Sequence, residues 1–226
     1  MLLSLLLPYS IFILFESTNS TEKIQGAWQS GSGIMIVSGD YFTYCEFSTD
    51  AFDYTYGGSY STKGDQFIAT YEFHSGDSAK VKTDESMTMK LKGEKLTIGK
   101  KEYTRVDDGT LGKLAGTWLF TNRERDGSMG TPRLPDNPRK TMKILSGTRF
   151  QWIAYNVETR QFMGTGGGTY TTIDGKYTES IDFFSRDQSR VGAELEFEFE
   201  LKNNEWRHRG KSSKGDPMYE IWTLRD

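Results

Sequence analysis

The segment Val191–Leu201, which reads VGAELEFEFEL, decides the fold class of this chain. Apolar residues occupy every second position, and a glycine and four glutamates stand between them. Such strict alternation is typical of a β-strand with one buried and one solvated face, whereas a helix would spread the glutamates around its circumference. The stretch MTMKL at 87–91 repeats the pattern, so the same kind of strand is predicted in the first half of the chain.

Turn signals separate these runs along the whole sequence. They include SGD at 38–40, KGD at 63–65, KGE at 92–94 and IDGK at 173–176. The 24 glycines, the 5 prolines and an aromatic content of 14% are typical of short strands joined by tight turns. No stretch shows a long helical period, so we predict an all-β chain.

An internal repeat divides the chain into two copies. GAW at 26–28 is matched by GTW at 116–118, SGDYF at 38–42 by SGTRF at 146–150, and GGSYST at 57–62 by GGTYTT at 167–172. Ordered agreement of this kind indicates a duplicated domain. We therefore predict one domain at 21–108, a linker at 109–113 and a second domain at 114–226.

Each copy contains about eight strand-like runs joined in sequence, which favours an antiparallel up-and-down meander. Closure of the meander into a barrel removes its exposed edges. An eight-stranded barrel encloses just enough space for side chains or one small ligand. The predicted architecture is thus two tandem antiparallel β-barrels of about eight short strands each.

The first residues are predicted to be a signal peptide covering residues 1–20. Residues 2–15 are mainly apolar, and the run is shorter than a spanning helix needs but suits a secretory signal. An uncleaved membrane anchor and a misassigned start codon are the alternatives. We therefore expect an exported protein, periplasmic or extracellular, with no stable membrane span after cleavage.

Composition excludes several functional classes. A formal net charge of -3 gives no basic footprint for nucleic acid. The single cysteine, Cys45, excludes an intrachain disulfide, and with only His74 and His208 beside it no cysteine- or histidine-built metal site is expected. We expect no metal and no cofactor.

The glycine-rich segment GTGGGT at 164–169 invites comparison with a phosphate-binding loop. Thr169 stands where the third glycine of a dinucleotide fingerprint belongs, and no helix is predicted after it. We interpret these glycines as a bend in a strand. No Gly-x-Ser-x-Gly elbow occurs either, and we expect each histidine to lie at a surface or rim. The chain is therefore predicted not to be an enzyme.

The Gly-x-Trp that opens each copy and the Arg near its end resemble the lipocalin pattern. In that family an arginine of the last strand lies over the first-strand tryptophan and closes the barrel base. The resemblance implies that Arg105 lies over Trp28 and that Arg225 lies over Trp118.

Parts of the second copy are also similar to uncharacterised bacterial proteins described only as membrane or secreted proteins and classed as lipocalin-like. The similar segments are SGTRF at 146–150, GGGTYT at 166–171 and DGKYTE at 174–179. The resemblance covers most of 114–226 and, more faintly, 24–108. It implies a fold and export, but no activity.

Glu179 is the most informative polar residue of the second copy. It shares a strand face with Tyr177, while the opposite phase would place Thr178 and Ser180 inside the barrel. A carboxylate in the interior needs a partner, which would be either Arg149 or a group of a ligand. The aromatic residues of these strands could hold an apolar ligand or stack on sugar rings, or they could simply fill the core. The candidate ligand-binding residues are Arg149, Trp152, Tyr170, Tyr177, Glu179 and Trp206.

Three functions remain open at this point. The first is binding of a small apolar or glycan-like molecule in the second barrel, with the first barrel as a support or interaction module. The second is a structural or protein-interaction module of the cell envelope with filled barrels, and the third is an enzyme that uses Glu179 as acid or base. The irregular segment 125–139, with three prolines, is either a functional loop or an ordinary surface insertion.

Overall fold

A computed structural model of the chain describes residues 24–49, 51–110, 112–212 and 215–225. The predicted signal peptide, residues 1–20, lies outside these ranges. The described part is all-β, and its only helices are two single turns of 3₁₀ helix at equivalent places in the two copies, Ser78–Lys80 and Gln188–Arg190.

The first copy forms a closed barrel in which each strand pairs with the next and β1 pairs with β8. Its strands are β1 (Gly26–Ser30), β2 (Gly33–Ser38), β3 (Tyr41–Ser48), β4 (Ala51–Lys63), β5 (Gln66–His74), β6 (Asp84–Lys92), β7 (Lys95–Ile98) and β8 (Lys101–Asp107).

The second copy repeats this meander and closes through the pairing of β9 with β17. Its strands are β9 (Gly116–Arg125), β10 (Ser128–Met129), β11 (Arg139–Leu145), β12 (Arg149–Asn156), β13 (Gln161–Ile173), β14 (Lys176–Phe184), β15 (Glu194–Lys202), β16 (Glu205–Lys211) and β17 (Pro217–Leu224). The two-residue β10 only folds back on β9, so eight strands form the wall. The predicted fold class, two antiparallel eight-stranded barrels, is confirmed.

The alternating segment that predicted the fold forms β15. Leu195, Phe197 and Phe199 pack in the core of the second barrel, while the glutamates between them are exposed. The strand begins three residues later than the alternation predicts. Asp187 caps the preceding 3₁₀ turn, and Gly192 adopts a φ of 83°, which keeps the chain out of the extended conformation up to that point.

The glycine-rich segment lies inside β13, as the strand interpretation predicts. A β-bulge interrupts the pairing of β13 with β14 between Gly167 and Gly168. A Cβ at Gly168 would lie 2.0 Å from the carbonyl oxygen of Ser180, so only glycine lets the neighbouring strand approach this closely.

The two barrels pack against each other through an apolar face. Its buried members are Ile34, Ile36, Phe73, Leu119, Met142, Ile144, Ile153 and Tyr155. Strand β2 is buried along its whole length because one face lines the first barrel and the other contacts the second. The two barrels are therefore joined by an apolar interface that is distinct from the core of each barrel.

This interface relates the two copies by an approximate two-fold axis. β2 packs on β11, its own counterpart, and the cross pairs β4 with β14 and β5 with β13 are both present. Aromatic pairs follow the same rule: Phe73 contacts Tyr155 at 5.1 Å between ring centroids, and the counterpart pair Phe183 and Phe47 lies at 4.7 Å. Phe52 stacks on its own counterpart, Phe162.

Asp107, at the end of β8, ties the first barrel to the turn between β11 and β12. Its carboxylate accepts hydrogen bonds from the backbone amides of Gly147 and Thr148 and from the hydroxyls of Ser146 and Thr148. Burial opposes ionisation of this carboxyl, but these hydrogen bonds outweigh it and lower the pKa of Asp107.

The two arginines predicted to close the barrels, Arg105 and Arg225, differ from each other in their contacts. The guanidinium carbon of Arg105 lies 4.0 Å from the centre of the Trp28 ring, so the contact expected in the first barrel is present. The expectation that Arg225 lies over Trp118 is wrong. Leu224 is the residue paired with Trp118, just as Arg105 is paired with Trp28, and alternation along the strand turns the next side chain to the outer face.

Arg225 instead joins the two barrels. Its guanidinium donates two hydrogen bonds to the Glu72 carboxylate, at 2.6 and 2.9 Å, and stacks on Tyr41 of the first barrel at 4.0 Å. Tyr155 donates a further hydrogen bond to Glu72. Burial disfavours the charged form of Glu72, but these contacts prevail and lower its pKa.

Candidate functional site

The second barrel contains a cavity of about 320 Å³ that opens at one end of the barrel. Apolar side chains form most of its wall: Trp152, Ile181, Phe184, Ala193, Leu195, Phe197, Met218 and Trp222. Charged and polar side chains also reach it, namely Arg123, Thr141, Lys143, Glu179, Arg190, His208, Ser212 and Glu220. The volume lies near the lower end of the range for small-molecule pockets, and the combination of an apolar wall with a few convergent polar groups is typical of them.

Two opposite charges lie inside this barrel. The Lys143 ammonium of β11 lies 2.7 Å from Oε1 of Glu179 on β14, and the two side chains are only 5% and 6% exposed. Tyr177 donates a hydrogen bond of 2.8 Å to the same carboxylate oxygen. A buried pair of this kind costs several kcal/mol of desolvation per ion, so its contribution to stability is small or negative.

Aromatic rings surround the Lys143 ammonium. Its nitrogen lies 5.0 Å from the ring centre of Trp206, 5.1 Å from Trp222 and 5.3 Å from Tyr177. Ring faces attract a cation and compensate for part of its lost hydration. The ammonium is thus held by one carboxylate and an aromatic cage.

A second polar group lies on β16 and β17. His208 and Glu220 are directly paired across these strands, and Nδ1 of His208 lies 3.9 Å from Oε2 of Glu220. That distance is too long for a hydrogen bond, and both ring nitrogens of the buried His208 lack a hydrogen-bond partner. Glu220 is bound by the guanidinium of Arg123 and accepts a hydrogen bond from the indole of Trp222.

The imidazole of His208 is held neutral by its surroundings. Burial, reinforced by the nearby Lys143 ammonium, lowers the pKa of His208 well below its usual value. A neutral imidazole has one donor nitrogen and one acceptor nitrogen. His208 therefore places one donor and one acceptor nitrogen, both buried and without a partner, at the wall of the cavity.

The first barrel serves as an internal comparison because its strand register matches that of the second. Lys143 pairs with Trp118 where Met35 pairs with Trp28, and Glu179 pairs with Tyr170 where Ala69 pairs with Tyr60. The buried ion pair of the second barrel thus occupies the positions of a methionine and an alanine in the first.

The same holds for the histidine. His208 pairs with Phe199 where Ile98 pairs with Met89, and Glu220 faces His208 where Lys101 faces Ile98. The two barrels therefore have the same arrangement of wall strands but differ in the polarity of their interior side chains.

The first barrel also opens to solvent, through a cavity of about 490 Å³. Its lining is mainly apolar and aromatic, with Glu85, Lys100 and Lys101 at the mouth. In the described part of this barrel, Thr43 is the one residue with a buried side-chain polar atom that lacks a hydrogen bond, and it does not line the cavity. Among the described residues, the side chain that lines a barrel cavity and has buried polar atoms without a hydrogen bond is thus His208 of the second barrel.

Glu179 lies inside the barrel on the same face as Tyr177, which is one of the two strand orientations considered from the sequence. Its partner, however, is not Arg149. Arg149 lies on the opposite face of β12 from Phe150 and forms a 2.7 Å ion pair with Asp182. Asp182 is the extra residue of the bulge that faces Gly167 and Gly168, so the strand changes phase there and Phe184 turns into the cavity. The interpretation of Arg149 as a residue of the barrel interior is therefore wrong.

The predicted aromatic residues divide between cavity and core. Trp152 lines the cavity and packs against Phe184. Tyr170, Tyr177 and Trp206 are fully packed members of the core beneath it. Tyr170 donates a hydrogen bond to the carbonyl oxygen of Ser146, a structural role rather than a position in the cavity.

Sequence reasoning missed Lys143 and Glu220, and it placed His208 wrongly at a surface or rim. His208 is 2% exposed. The signal was available for the histidine: it stands two residues after Trp206, so alternation along β16 gives both side chains the same face. For Lys143 and Glu220 the decisive information is the register between strands that are distant in sequence.

No cluster of metal-binding side chains is found among the described residues. Within the same residues, no helix has the length and apolar character needed to span a bilayer. A comparison with models of known protein families gives no match to this chain, and a comparison with curated proteins gives none either. The assignment of a function therefore depends on the geometry of the site.

Proposed function

We propose that this chain is an exported, non-enzymatic binding protein that holds a small ligand in the cavity of its second, lipocalin-like barrel. The observation that carries the proposal is His208, a buried neutral imidazole at the cavity with no hydrogen-bond partner on either ring nitrogen. A buried polar group left unsatisfied costs about 1–3 kcal/mol, so it is expected to gain a partner when the site is filled.

The lining indicates the chemistry of the ligand. The apolar wall suits a hydrocarbon or aromatic body, or the apolar face of a sugar ring. His208 suits a neutral group such as a hydroxyl or an amide, because an imidazole both donates and accepts. The proposed ligand therefore has an apolar body and one neutral hydrogen-bonding end.

The comparison between the barrels supports the same proposal. Met35, Ala69 and Ile98 show that this barrel wall closes with apolar residues at the positions of Lys143, Glu179 and His208. Polar residues at those places cost stability, so a role in binding explains their presence better than a role in folding. In this proposal the first barrel is a support for the second.

A titration of the full chain with paired probes tests the proposal. The probes are 4-propylphenol, its hydrocarbon analogue propylbenzene, and N,N′-diacetylchitobiose as the glycan fragment. The fluorescence of Trp152 and Trp222, which line the cavity, reports binding. We expect 4-propylphenol or the disaccharide to bind more tightly than propylbenzene.

A variant that copies the first barrel provides the control. His208→Ile, which introduces the side chain of the equivalent Ile98, is expected to weaken the hydrogen-bonding probe about tenfold and to leave propylbenzene unchanged. His74→Phe, which copies the equivalent Phe184, lies in the first barrel and should change neither affinity. If no probe binds and native mass spectrometry of the purified protein shows no bound small molecule, the proposal fails.

The two other functions stay predictions. A structural or protein-interaction module with filled barrels does not account for an open cavity with unsatisfied polar groups. For an enzyme that uses Glu179, the structure offers an inward carboxylate, but one that is already held by Lys143 and Tyr177.

A further inference from the structure

A third cavity, of about 510 Å³, lies at the mouth of the second barrel beneath the segment that links β10 to β11. Four arginines line it: Arg123, Arg125, Arg133 and Arg139. The chain as a whole has a net charge of -3, so this concentration of positive charge is local. We refer to these four residues as the arginine cluster.

A β-bulge directs one of these arginines into the cavity. Trp222 pairs with Phe120 and Ile221 pairs with Asn122, so Thr121 is an extra residue in β9. In a regular strand Phe120 and Arg123 would point to opposite faces, because they lie three positions apart. The bulge restores them to one face, and the guanidinium of Arg123 lies 5.1 Å from the centre of the Phe120 ring.

Arg133 is fixed by its backbone. Its backbone amide donates a hydrogen bond to the carbonyl oxygen of Thr121, and the backbone amide of Gly130 donates one to the carbonyl oxygen of Arg123. The side chain of Asn122 donates to the carbonyl oxygen of Gly130. The Arg133 guanidinium is thereby placed 4.9 Å from the centre of the Phe120 ring, which Arg123 also contacts.

The charges of the cluster are only partly neutralised. Among the described residues, Arg123 has an ion pair with Glu220, while Arg125, Arg133 and Arg139 have no carboxylate within salt-bridge distance. Burial and repulsion from Arg139, Arg123 and Arg125 lower the pKa of Arg133, which reflects how close the four guanidinium groups are. An anion that enters the cavity would relieve this repulsion.

We propose that the arginine cluster is a binding site for a phosphate or sulfate group, next to the ligand site inside the barrel, with which it shares Arg123 and Glu220 as lining residues. Arginine presents a planar set of N–H donors that matches the oxygens of such groups, and the hydroxyls of Thr121, Thr131 and Thr141 line the same cavity. The net charge of the four arginines and Glu220 is three positive charges, which suits a group of two or more negative charges.

The group has two possible sources, a small phosphorylated molecule or a sulfated glycan. Isothermal titration calorimetry of the full chain at low salt uses inorganic pyrophosphate for the first and a heparin hexasaccharide for the second. We expect pyrophosphate or the heparin hexasaccharide to bind at a single site per chain. The anion that binds with the lower Kd identifies whether the group comes from a phosphorylated molecule or a sulfated glycan.

Charge-removing variants locate the site. Arg133→Gln and Arg139→Gln are each expected to weaken the bound anion at least tenfold, because each removes a charge-assisted contact. Lys90→Gln, which removes one exposed positive charge from the outer face of β6, should change the affinity less than about twofold.

Arg139 is exposed at the start of β11, so its variant should fold even if Arg133→Gln does not. Equal weakening by Lys90→Gln and Arg139→Gln would show only general charge attraction and would overturn the proposal. So would a lack of binding by both anions.

Discussion

The buried ion pair of the second barrel gives the sharpest test of the reasoning, because the first barrel shows what can replace it. Lys143→Met and Glu179→Ala together copy Met35 and Ala69, and Tyr177→Phe copies Phe67, the residue at the equivalent register position. The perturbation is therefore a transfer of one copy's interior to the other.

The magnitudes follow from the geometry. At the observed 2.7 Å, the attraction between the two charges is about 6 kcal/mol for an effective dielectric constant of ~20. Desolvation of two nearly buried ions offsets most or all of this gain. Removal of one partner leaves the other buried and uncompensated, so each single variant should lose about 3–5 kcal/mol of unfolding free energy.

The combined variant should behave in the opposite way. Replacement of a buried pair by apolar residues is commonly neutral or stabilising by ~1–4 kcal/mol. Tyr177→Phe is included because Glu179→Ala alone would leave the Tyr177 hydroxyl buried without its acceptor, at a cost of about 1–3 kcal/mol. We expect the triple variant to be at least as stable as the natural chain.

Urea unfolding followed by far-ultraviolet circular dichroism and by tryptophan fluorescence measures these free energies, and agreement of the two signals checks that unfolding is two-state. Single variants that each lose less than about 1 kcal/mol would show that the pair is not effectively buried. A triple variant that is clearly less stable than the natural chain would refute the argument that these charges are present for binding.

Four further outcomes are expected. The pKa of His208 is lower in the folded state than in the unfolded state, where it is near 6.5. The contribution of His208 to stability is therefore full above pH 6.5 and is lost as the pH falls from there towards the folded pKa. His208→Ile should flatten the pH dependence of the urea midpoint between about pH 7 and 5, and a slope that the variant leaves unchanged contradicts this. The pKa of His74 is also lowered, mainly by burial, so His74→Phe should reduce the same slope, but by less than His208→Ile does. Arg225→Gln should lower the unfolding free energy by about 2 kcal/mol, because it removes two charge-assisted hydrogen bonds to Glu72. Arg149→Gln breaks the more exposed ion pair with Asp182 and should lower it by at most ~1 kcal/mol. Equal losses of the two variants in denaturant unfolding would argue against the difference in burial. Gly168→Ala should lower the melting temperature by several degrees, because its Cβ would lie 2.0 Å from the Ser180 carbonyl oxygen, and an unchanged melting temperature would show that β14 can move away.

The sequence predicts the fold well because its signals are local. Alternation in β15 needs only neighbouring residues, and the repeat confirms each strand by its counterpart in the other copy. Gly-x-Trp with a final arginine also locates the contact of Arg105 with Trp28. Each of these features depends on short-range periodicity or on a comparison within the chain.

The site is predicted less well because β-bulges change the phase of alternation. An extra residue at Thr121, and another at Asp182, reverses which side chains face inwards, and the alternation of polar and apolar residues in β9 and β14 marks neither position. One residue of offset also separates the expected position of Arg225 from the observed one. Such shifts are set by contacts between strands, and these only the three-dimensional structure contains.

The approximate two-fold axis has a consequence for how the copies could become different. In a symmetric homodimer every substitution occurs twice, so a polar residue inside one subunit is forced on the other as well. Here the two halves belong to one chain, which keeps the partner at a high effective concentration without requiring it to be identical. The equivalent residues Phe52 and Phe162 still stack on each other at the axis, while the interiors of the two barrels differ in polarity. Covalent joining thus lets the first half keep an apolar interior while the second half carries buried charges that cost stability.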